Sequence, residues 1–116
     1  MVRLSSEPST VREAREFVDA AVGYLMPPDQ RDGLKIAVTE MVSITLNRGR
    51  PPFDILADIV NDMVRVEVHD RSTATPHLDR SPDSVYGLML LDALAKRWGV
   101  TPSADGKIIW AELSLR

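Results

Sequence analysis

Hydrophobic residues recur at a helical spacing in the first part of the chain. Apolar side chains three and four residues apart predict a helix from Thr10 to about Tyr24. Thr10 and Glu13 form the Ser/Thr-x-x-Glu pattern of a capping box, which places the N-cap at Thr10. Pro27-Pro28 then ends this helix and begins the next one.

A second helix follows from these prolines and carries its apolar side chains on one stripe. The stripe consists of Leu34, Val38, Met41 and Thr45, with Ala37 and Ile44 beside it. The helix is predicted to end near Gly49, because Pro51-Pro52 cannot continue it.

After these prolines the apolar period changes from that of a helix to that of a strand. Apolar residues alternate with other residues through residues 53–59, and then again through residues 64–69. Asn61-Asp62 lies between the two runs and has the composition of a tight turn. The pattern predicts an antiparallel hairpin with one face in water.

The rest of the chain repeats this change of period. Residues 71–84 are polar, contain two prolines and are predicted to form a loop. A third helix is predicted next, with Lys96-Arg97 in its last turn and Gly99 as its stop. Its inward residues are Leu88, Leu91, Leu94 and Ala95. A final hairpin runs from Trp98 to Thr101 and from Lys107 to Leu115, around an Asp105-Gly106 turn.

This order of elements predicts one α+β domain over residues 1–116. Three helices are expected on one face of a mixed, mostly antiparallel sheet, as a two-layer sandwich. Composition agrees with a soluble globular protein, since 44% of the residues are hydrophobic and 27% are charged.

Composition also excludes several classes of function. There is no apolar run of about 20 residues, no signal-peptide pattern and no cysteine, so a cytoplasmic protein without membrane contact is expected. The net charge of −3 gives no general attraction to nucleic acid. The basic cluster Arg48-Gly49-Arg50 is interpreted as a solvated helix end.

Four segments carry a more specific signal, and they span nearly the whole chain. They are Ser9-Thr10-Val11-Arg12, the helix at residues 36–46, Val66-Glu67-Val68-His69-Asp70, and residues 87–99 closed by residues 105–113. Together these segments resemble the anti-sigma-factor serine kinase family of the GHKL (Bergerat, HATPase-type) fold. The similarity is to its single-domain ATP-binding regulators of the actinobacterial type.

The resemblance implies a role for individual residues. Glu40 falls on the helix glutamate that acts as general base or positions the attacking hydroxyl. Asp70 falls on the aspartate that accepts a hydrogen bond from the adenine amino group. Gly87 is the glycine that remains of the second glycine-rich box, in which Val85 replaces the earlier glycine.

One substitution alters what this site is expected to do. Ile44 stands where the family has the asparagine that binds magnesium, and isoleucine offers no lone pair. Asn47 lies one turn further on the same flank and could contribute an amide to cofactor binding in its place, but a shift of about 5 Å along the axis would misplace the metal. Magnesium is therefore not expected, and ATP would lack its usual metal bridge.

The resemblance then implies a regulator that acts by protein contact, as a pseudokinase that binds a sigma factor, a STAS-domain anti-anti-sigma protein, or both. The alternative is an active ATP-dependent serine/threonine kinase that phosphorylates the STAS-domain partner, with Glu40 as its base. A third alternative is nucleotide binding through Asp70 without turnover. A homodimer is expected from the family.

Overall fold

The computed structural model describes residues 1–4, 9–48, 52–71 and 82–116, apart from the side chains of residues 48 and 82–85. Along the chain the elements are β1 (Val2–Leu4), α1 (Thr10–Ala21), a short 3-10 helix (Gly23–Leu25), α2 (Pro28–Arg48), β2 (Phe53–Val60), β3 (Met63–Asp70), α3 (Pro82–Leu94), β4 (Arg97–Ser103) and β5 (Gly106–Ser114).

The strands form one sheet in the order β1-β2-β3-β5-β4, and every neighbouring pair is antiparallel. The predicted α+β architecture is confirmed, although the sheet contains no parallel pair among the described strands. Strand β1 was not predicted, because three residues are too few to show a period. It pairs with β2 through Leu4 and Phe53.

The core lies between the sheet and the helices. On β3, Val64, Val66 and Val68 alternate inward and are almost completely buried. Helix α2 is the central helix and packs against both α1 and α3 as well as the sheet. Its predicted inward stripe, Leu34, Val38, Met41 and Thr45, is buried. The prediction of this helix face is therefore confirmed.

The start of α1 differs by one residue from the predicted capping box. Ser9 is the N-cap, its hydroxyl contacts Glu13 Oε1 at 3.2 Å, and the Glu13 amide donates to the Ser9 carbonyl at 3.0 Å. Thr10 is the first helical residue and is fully buried. Tertiary packing thus draws Thr10 into the core, where it cannot serve as the predicted N-cap.

The end of α3 was also predicted wrongly. The helix ends at Leu94, so Arg97 belongs to β4, where it faces Glu112 of β5. Gly99 lies in β4 opposite Trp110 and does not stop the helix. A Cβ at Gly99 would lie 3.0 Å from Trp110 Cζ2, so the indole ring is the reason for glycine here. The following turn consists of residues 104–105, one residue earlier than predicted.

The helix-free face of the sheet carries a network of ion pairs. Arg65 Nη1 donates to Glu112 Oε2 at 2.9 Å, and Arg97 Nε donates to Glu112 Oε1 at 2.8 Å. The Arg65 guanidinium also lies 4.5 Å from the centre of the Trp110 ring. Glu112 is 4% exposed, so two arginines neutralise a carboxylate that has lost its water.

Replacing Glu112 by glutamine should show how much this network stabilises the sheet. Burial raises the pKa of Glu112, but the hydrogen bonds from Arg65 and Arg97 outweigh burial and leave the pKa lowered. Its contribution to stability is therefore present at neutral pH and is lost as the pH falls through the lowered pKa. At pH 7, Glu112→Gln should reduce the free energy of unfolding by about 1–3 kcal/mol in urea denaturation.

The control for this measurement is Glu16→Gln, which removes an exposed ion pair with Arg12 and should change stability by less than about 0.5 kcal/mol. As the pH falls below the ordinary glutamate pKa of about 4.3, the stability difference between the Glu112→Gln protein and the wild type should shrink, because the folded-state pKa of Glu112 is lowered. A difference that stays constant down to pH 3 would contradict a role for the Glu112 charge.

Candidate functional site

Glu40, Ile44 and Gly87 meet where α3 crosses α2. Gly87 is buried, and a Cβ placed on it would lie 2.7 Å from Glu40 Oε2 and 3.9 Å from Ile44 Cδ1. The contact joins two segments that are far apart in the sequence. Two of the predicted site residues, Glu40 and Gly87, are thus brought together beside Ile44, and the close approach of the helices explains why glycine occupies position 87.

The Glu40 carboxylate is available for chemistry at this crossing. Its side chain is half-buried, and no hydrogen bond or ion pair joins it to another residue in the described part of the chain. A carboxylate that is partly shielded and unpaired can accept a proton or orient a hydroxyl group. The geometry at Glu40 is therefore compatible with the predicted role of general base.

Ile44 belongs to the hydrophobic core. It is 9% exposed and is packed within the cluster of buried side chains that α2 shares with the sheet. Asn47, one turn further along α2, is exposed. The position that would hold a metal ligand next to Glu40 is thus filled by hydrocarbon, and the nearest amide lies about 5 Å away along the helix axis.

Asp70 takes part in a separate contact at the end of β3. It is 4% exposed, and Lys107 Nζ on β5 lies 3.4 Å from Asp70 Oδ2. The two residues are direct partners in the antiparallel pairing of β3 with β5, and the Lys107 side chain is only 15% exposed. The carboxylate predicted to bind adenine is therefore already paired with a partly buried cation.

Lys107 is the residue that the sequence analysis missed at this site. Its position opposite Asp70 depends on the register between β3 and β5, which are separated by the whole of α3. Gly106 supports this register, because a Cβ there would lie 2.9 Å from Arg71 Cα and overlap the Asp70 carbonyl oxygen. The tight approach of Gly106 thus places Lys107 next to Asp70.

A second ion-pair cluster lies beside Asp70, around Asp54 on β2. Arg3 Nε donates to Asp54 Oδ1 at 2.8 Å, and Arg71 Nη2 donates to Asp54 Oδ2 at 3.3 Å. The hydrogen bond from Arg3 holds the pKa of Asp54 below its usual range. Arg71 directly follows Asp70, so the first residue after the predicted adenine-binding aspartate is engaged in a structural contact.

Some predicted features lie outside the described residues. These are residues 49–51, on which the predicted end of the second helix and most of the basic cluster fall, residues 72–81, which include most of the predicted loop, and the side chain of Val85. The backbone at Val85 is helical, because α3 begins at Pro82, before the predicted end of the loop. The contribution of Val85 to a phosphate-binding box stays a prediction from its β-branched side chain.

Over residues 1–4, 9–48, 52–71 and 82–116, no three His, Asp or Glu side chains converge so that they could hold a metal ion. In the same part of the chain, no helix combines the length and apolar character needed to cross a bilayer.

The fold of this chain is similar to that of solved structures. The histidine kinase domain of the Erythrobacter litoralis EL346 blue-light activated histidine kinase superimposes with a TM-score of 0.61 at 15% identity. The match covers 92% of this chain and 60% of that one. The chain has a GHKL-like fold. A second structure of the same kinase matches with a TM-score of 0.61 at 19% identity, over 78% of this chain and 32% of that one.

These similarities show the fold of the chain. Identities of 15% and 19% show a shared fold only, and the chain spans 60% and 32% of the two kinase structures. No protein-family model matches the chain, and no curated protein matches it. Membership of the anti-sigma-factor serine kinase family and the roles of Glu40, Asp70, Gly87 and Asn47 therefore stay predictions.

Proposed function

We propose that this GHKL-like chain is a regulator that acts by binding a partner protein, and that the site around Glu40 does not support magnesium-dependent phosphoryl transfer. The proposed partners are a sigma factor, a STAS-domain anti-anti-sigma protein, or both, within a partner-switching system. The observation that carries this proposal is Ile44, which is packed in the core beside Glu40 and Gly87, where the family has its magnesium ligand.

The negative charge of the phosphates explains why isoleucine at position 44 has so large an effect on the expected activity. In phosphoryl transfer, the protein mainly positions the phosphates while metal ions neutralise the charge that develops on them. Magnesium requires hard oxygen ligands in near-octahedral geometry, and a buried isoleucine supplies none and excludes water from its place. The carboxylate of Glu40 without a neighbouring cation would repel a triphosphate.

The ion pair of Asp70 with Lys107 supports the same proposal. An adenine amino group could hydrogen-bond to Asp70 only by sharing a carboxylate that Lys107 already contacts. Weakening a buried ion pair is costly, because the remaining charge has lost its water. Adenine binding at Asp70 would therefore have to offset the cost of weakening this contact.

An active serine/threonine kinase is the second candidate. It is favoured by the unpaired, half-buried carboxylate of Glu40 directly beside Gly87, which is where a general base would stand. This candidate requires another group to replace the lost magnesium ligand, and Asn47 is the nearest amide on that flank of α2. The two candidates thus differ in whether magnesium changes nucleotide affinity.

Calorimetric titration with ATP and ADP, with and without magnesium, tests the proposal. We expect that magnesium does not tighten nucleotide binding at nucleotide concentrations up to about 1 mM. A dissociation constant of about 1 mM corresponds to a binding free energy of only about −4 kcal/mol. Co-purification with candidate sigma factors and STAS-domain proteins should in contrast yield a stable complex.

The variant Asn47→Ala serves as the control for a rescued metal site. Magnesium-dependent binding that this exposed substitution abolishes would make the kinase the better candidate. Failure to form a stable complex with any sigma factor or STAS-domain protein would count against regulation by contact. Asn47→Ala leaves the core unchanged, so its folding can be compared directly with that of the wild type.

A further inference from the structure

A cavity of about 330 Å³ lies between the start of α2, the end of α3 and the end of β5. Its volume is at the lower end of the range of small-molecule sites, which is about 300–1,000 Å³. Glu40, Ile44, Asp70 and Gly87 do not line it. Gly33 is the lining residue of α2 nearest to Glu40, and it lies about 10 Å from Glu40 along the helix axis. The cavity is therefore separate from the site around Glu40.

Gly33 lines this cavity without a packing reason to be glycine. A Cβ added there would meet only Leu94 Cδ2, at 3.4 Å, which is within ordinary contact. At each of the other described glycines, an added Cβ would lie 3.0 Å or less from another atom, so close packing explains those residues. Glycine inside a helix lowers its stability relative to alanine. A local preference that is broken without a gain in packing is typical of a functional position.

Gln30 breaks a second rule in the wall of the same cavity. Its side-chain oxygen Oε1 is shielded from water and has no hydrogen-bond partner, which is true of no other buried side-chain oxygen or nitrogen in the described part of the chain. Buried polar atoms nearly always have a partner, because they have lost their hydrogen bonds to water. The Gln30 amide therefore gains when its side chain turns toward the cavity and a donor group there bonds to Oε1.

The cavity combines an apolar interior with charges of both signs at its edge. Met26 and Leu113 line it and are buried. Asp29 belongs to the α2 wall, whereas Lys96 and Arg116 follow α3 and β5, and all three are exposed. No ion pair joins any of these three side chains to another residue in the described ranges. An anion and two cations are thus available on different walls of one cavity.

We propose that this cavity binds a free α-amino acid with an apolar side chain. Its ammonium group binds Asp29 and Gln30 Oε1 on the α2 wall, and its carboxylate binds Lys96 and Arg116. Its side chain enters the apolar interior, where Gly33 leaves room. The volume equals that of roughly eleven water molecules at about 30 Å³ each, which suits a molecule of the size of leucine or phenylalanine.

Other small molecules match only part of this cavity. A simple anion such as phosphate leaves the apolar interior without contacts. An apolar carboxylic acid leaves Asp29 and Gln30 Oε1 without a donor, and an apolar amine leaves Lys96 and Arg116 without an anion. A zwitterion with an apolar side chain uses all three features, and this selects the ligand class.

Calorimetric titration of the intact protein with L-leucine, L-phenylalanine and L-tryptophan tests the proposal. We expect at least one of them to bind with a dissociation constant below about 1 mM. Two analogues of the tightest binder, one without the ammonium group and one without the carboxylate, should bind about tenfold more weakly or worse, because each loses charge-assisted hydrogen bonds. Glycine lacks an apolar side chain and should not bind at the same concentrations.

The variant Gly33→Ala separates ligand binding from protein stability. Its methyl group reduces the cavity beside Leu94 and should weaken the amino acid several-fold. The same variant should be as stable as the wild type or slightly more stable, because alanine favours the helix and meets no clash. Urea denaturation checks the stability, so a loss of binding cannot be attributed to unfolding.

Charge variants with matched controls test the two ends of the ligand. Asp29→Asn and Lys96→Gln should each weaken the amino acid by about tenfold. Asp32→Asn and Lys35→Gln are the controls, because Asp32 and Lys35 are also exposed residues of α2 but do not line the cavity. The controls should bind the amino acid as the wild type does.

Three outcomes would overturn the proposal. They are no binding of any of the three amino acids at about 10 mM, analogues that bind as tightly as the amino acid, and an affinity that Gly33→Ala, Asp29→Asn and Lys96→Gln leave unchanged. Failure of the proposed function is a separate result. Magnesium-dependent ATP binding would overturn that function and leave the amino-acid titration unaffected, because Glu40 does not line this cavity.

Discussion

Gly106→Ala is expected to lower the free energy of unfolding by about 3 kcal/mol or more, because the new methyl group has no space. A Cβ at this position would overlap the Asp70 carbonyl oxygen and lie 2.9 Å from both Asp70 C and Arg71 Cα. These are backbone atoms, so no side-chain rotation can relieve the clash. The end of β3 would have to move away from β5, which would also separate Lys107 from Asp70.

Gly33→Ala is the matched control for this prediction. A Cβ there meets only Leu94 Cδ2, at 3.4 Å, which is close to ordinary contact, and Gly33 lies inside α2. Alanine in a helix interior is favoured over glycine by about 1 kcal/mol, so this variant should be unchanged or slightly more stable. Urea denaturation of both variants measures the contrast. Equal stabilities would show that β3 and β5 are not held as closely as described.

Ile44→Asn is expected to destabilise the protein by about 3 kcal/mol, although it restores the residue type that the resemblance places at this position. The substitution removes buried hydrocarbon from the core and puts a polar amide in its place. We expect no gain in magnesium-dependent ATP binding from this change alone, since Asp70 remains paired with Lys107. Urea denaturation and calorimetry on the same protein measure the two effects.

Ile44→Val separates the loss of a methylene group from the introduction of polarity. This variant keeps an apolar side chain and should cost only about 0.5–1.5 kcal/mol. If Ile44→Asn lowers the free energy of unfolding no more than Ile44→Val does, the new amide must have found hydrogen-bond partners around position 44. Magnesium-dependent ATP affinity that Ile44→Asn shows and the wild type lacks would then mean that the lost ligand was the only defect of the site.

Local patterns predicted most of the secondary structure. The alternation of β3 and the stripe of α2 each bury one face of an element, so their periods can be read without knowing what covers them. The turn at Asn61 and Asp62 was predicted from composition, and both residues have positive φ, at 51° and 63°. Such left-handed positions favour asparagine and aspartate, which explains why composition was informative.

The errors in the elements arose where distant residues decide the local structure. Arg97 has the composition of a helix C-terminus, yet it belongs to β4 because Glu112 of β5 binds it. The position of Gly99 after a helical pattern predicts a helix stop, whereas its role in the structure is to leave room for the Trp110 ring. In both cases the partner comes from another strand, which a local pattern cannot reveal.

The sequence by itself determined the α+β class, the helix and strand faces, and the absence of an oxygen ligand at Ile44, because each follows from residue type and local spacing. The tertiary structure decided what surrounds the site residues. The crossing of α2 and α3 puts Gly87 against Glu40, and the β3–β5 register puts Lys107 on Asp70. These contacts join segments far apart in the chain, where packing rather than local propensity selects the pairing.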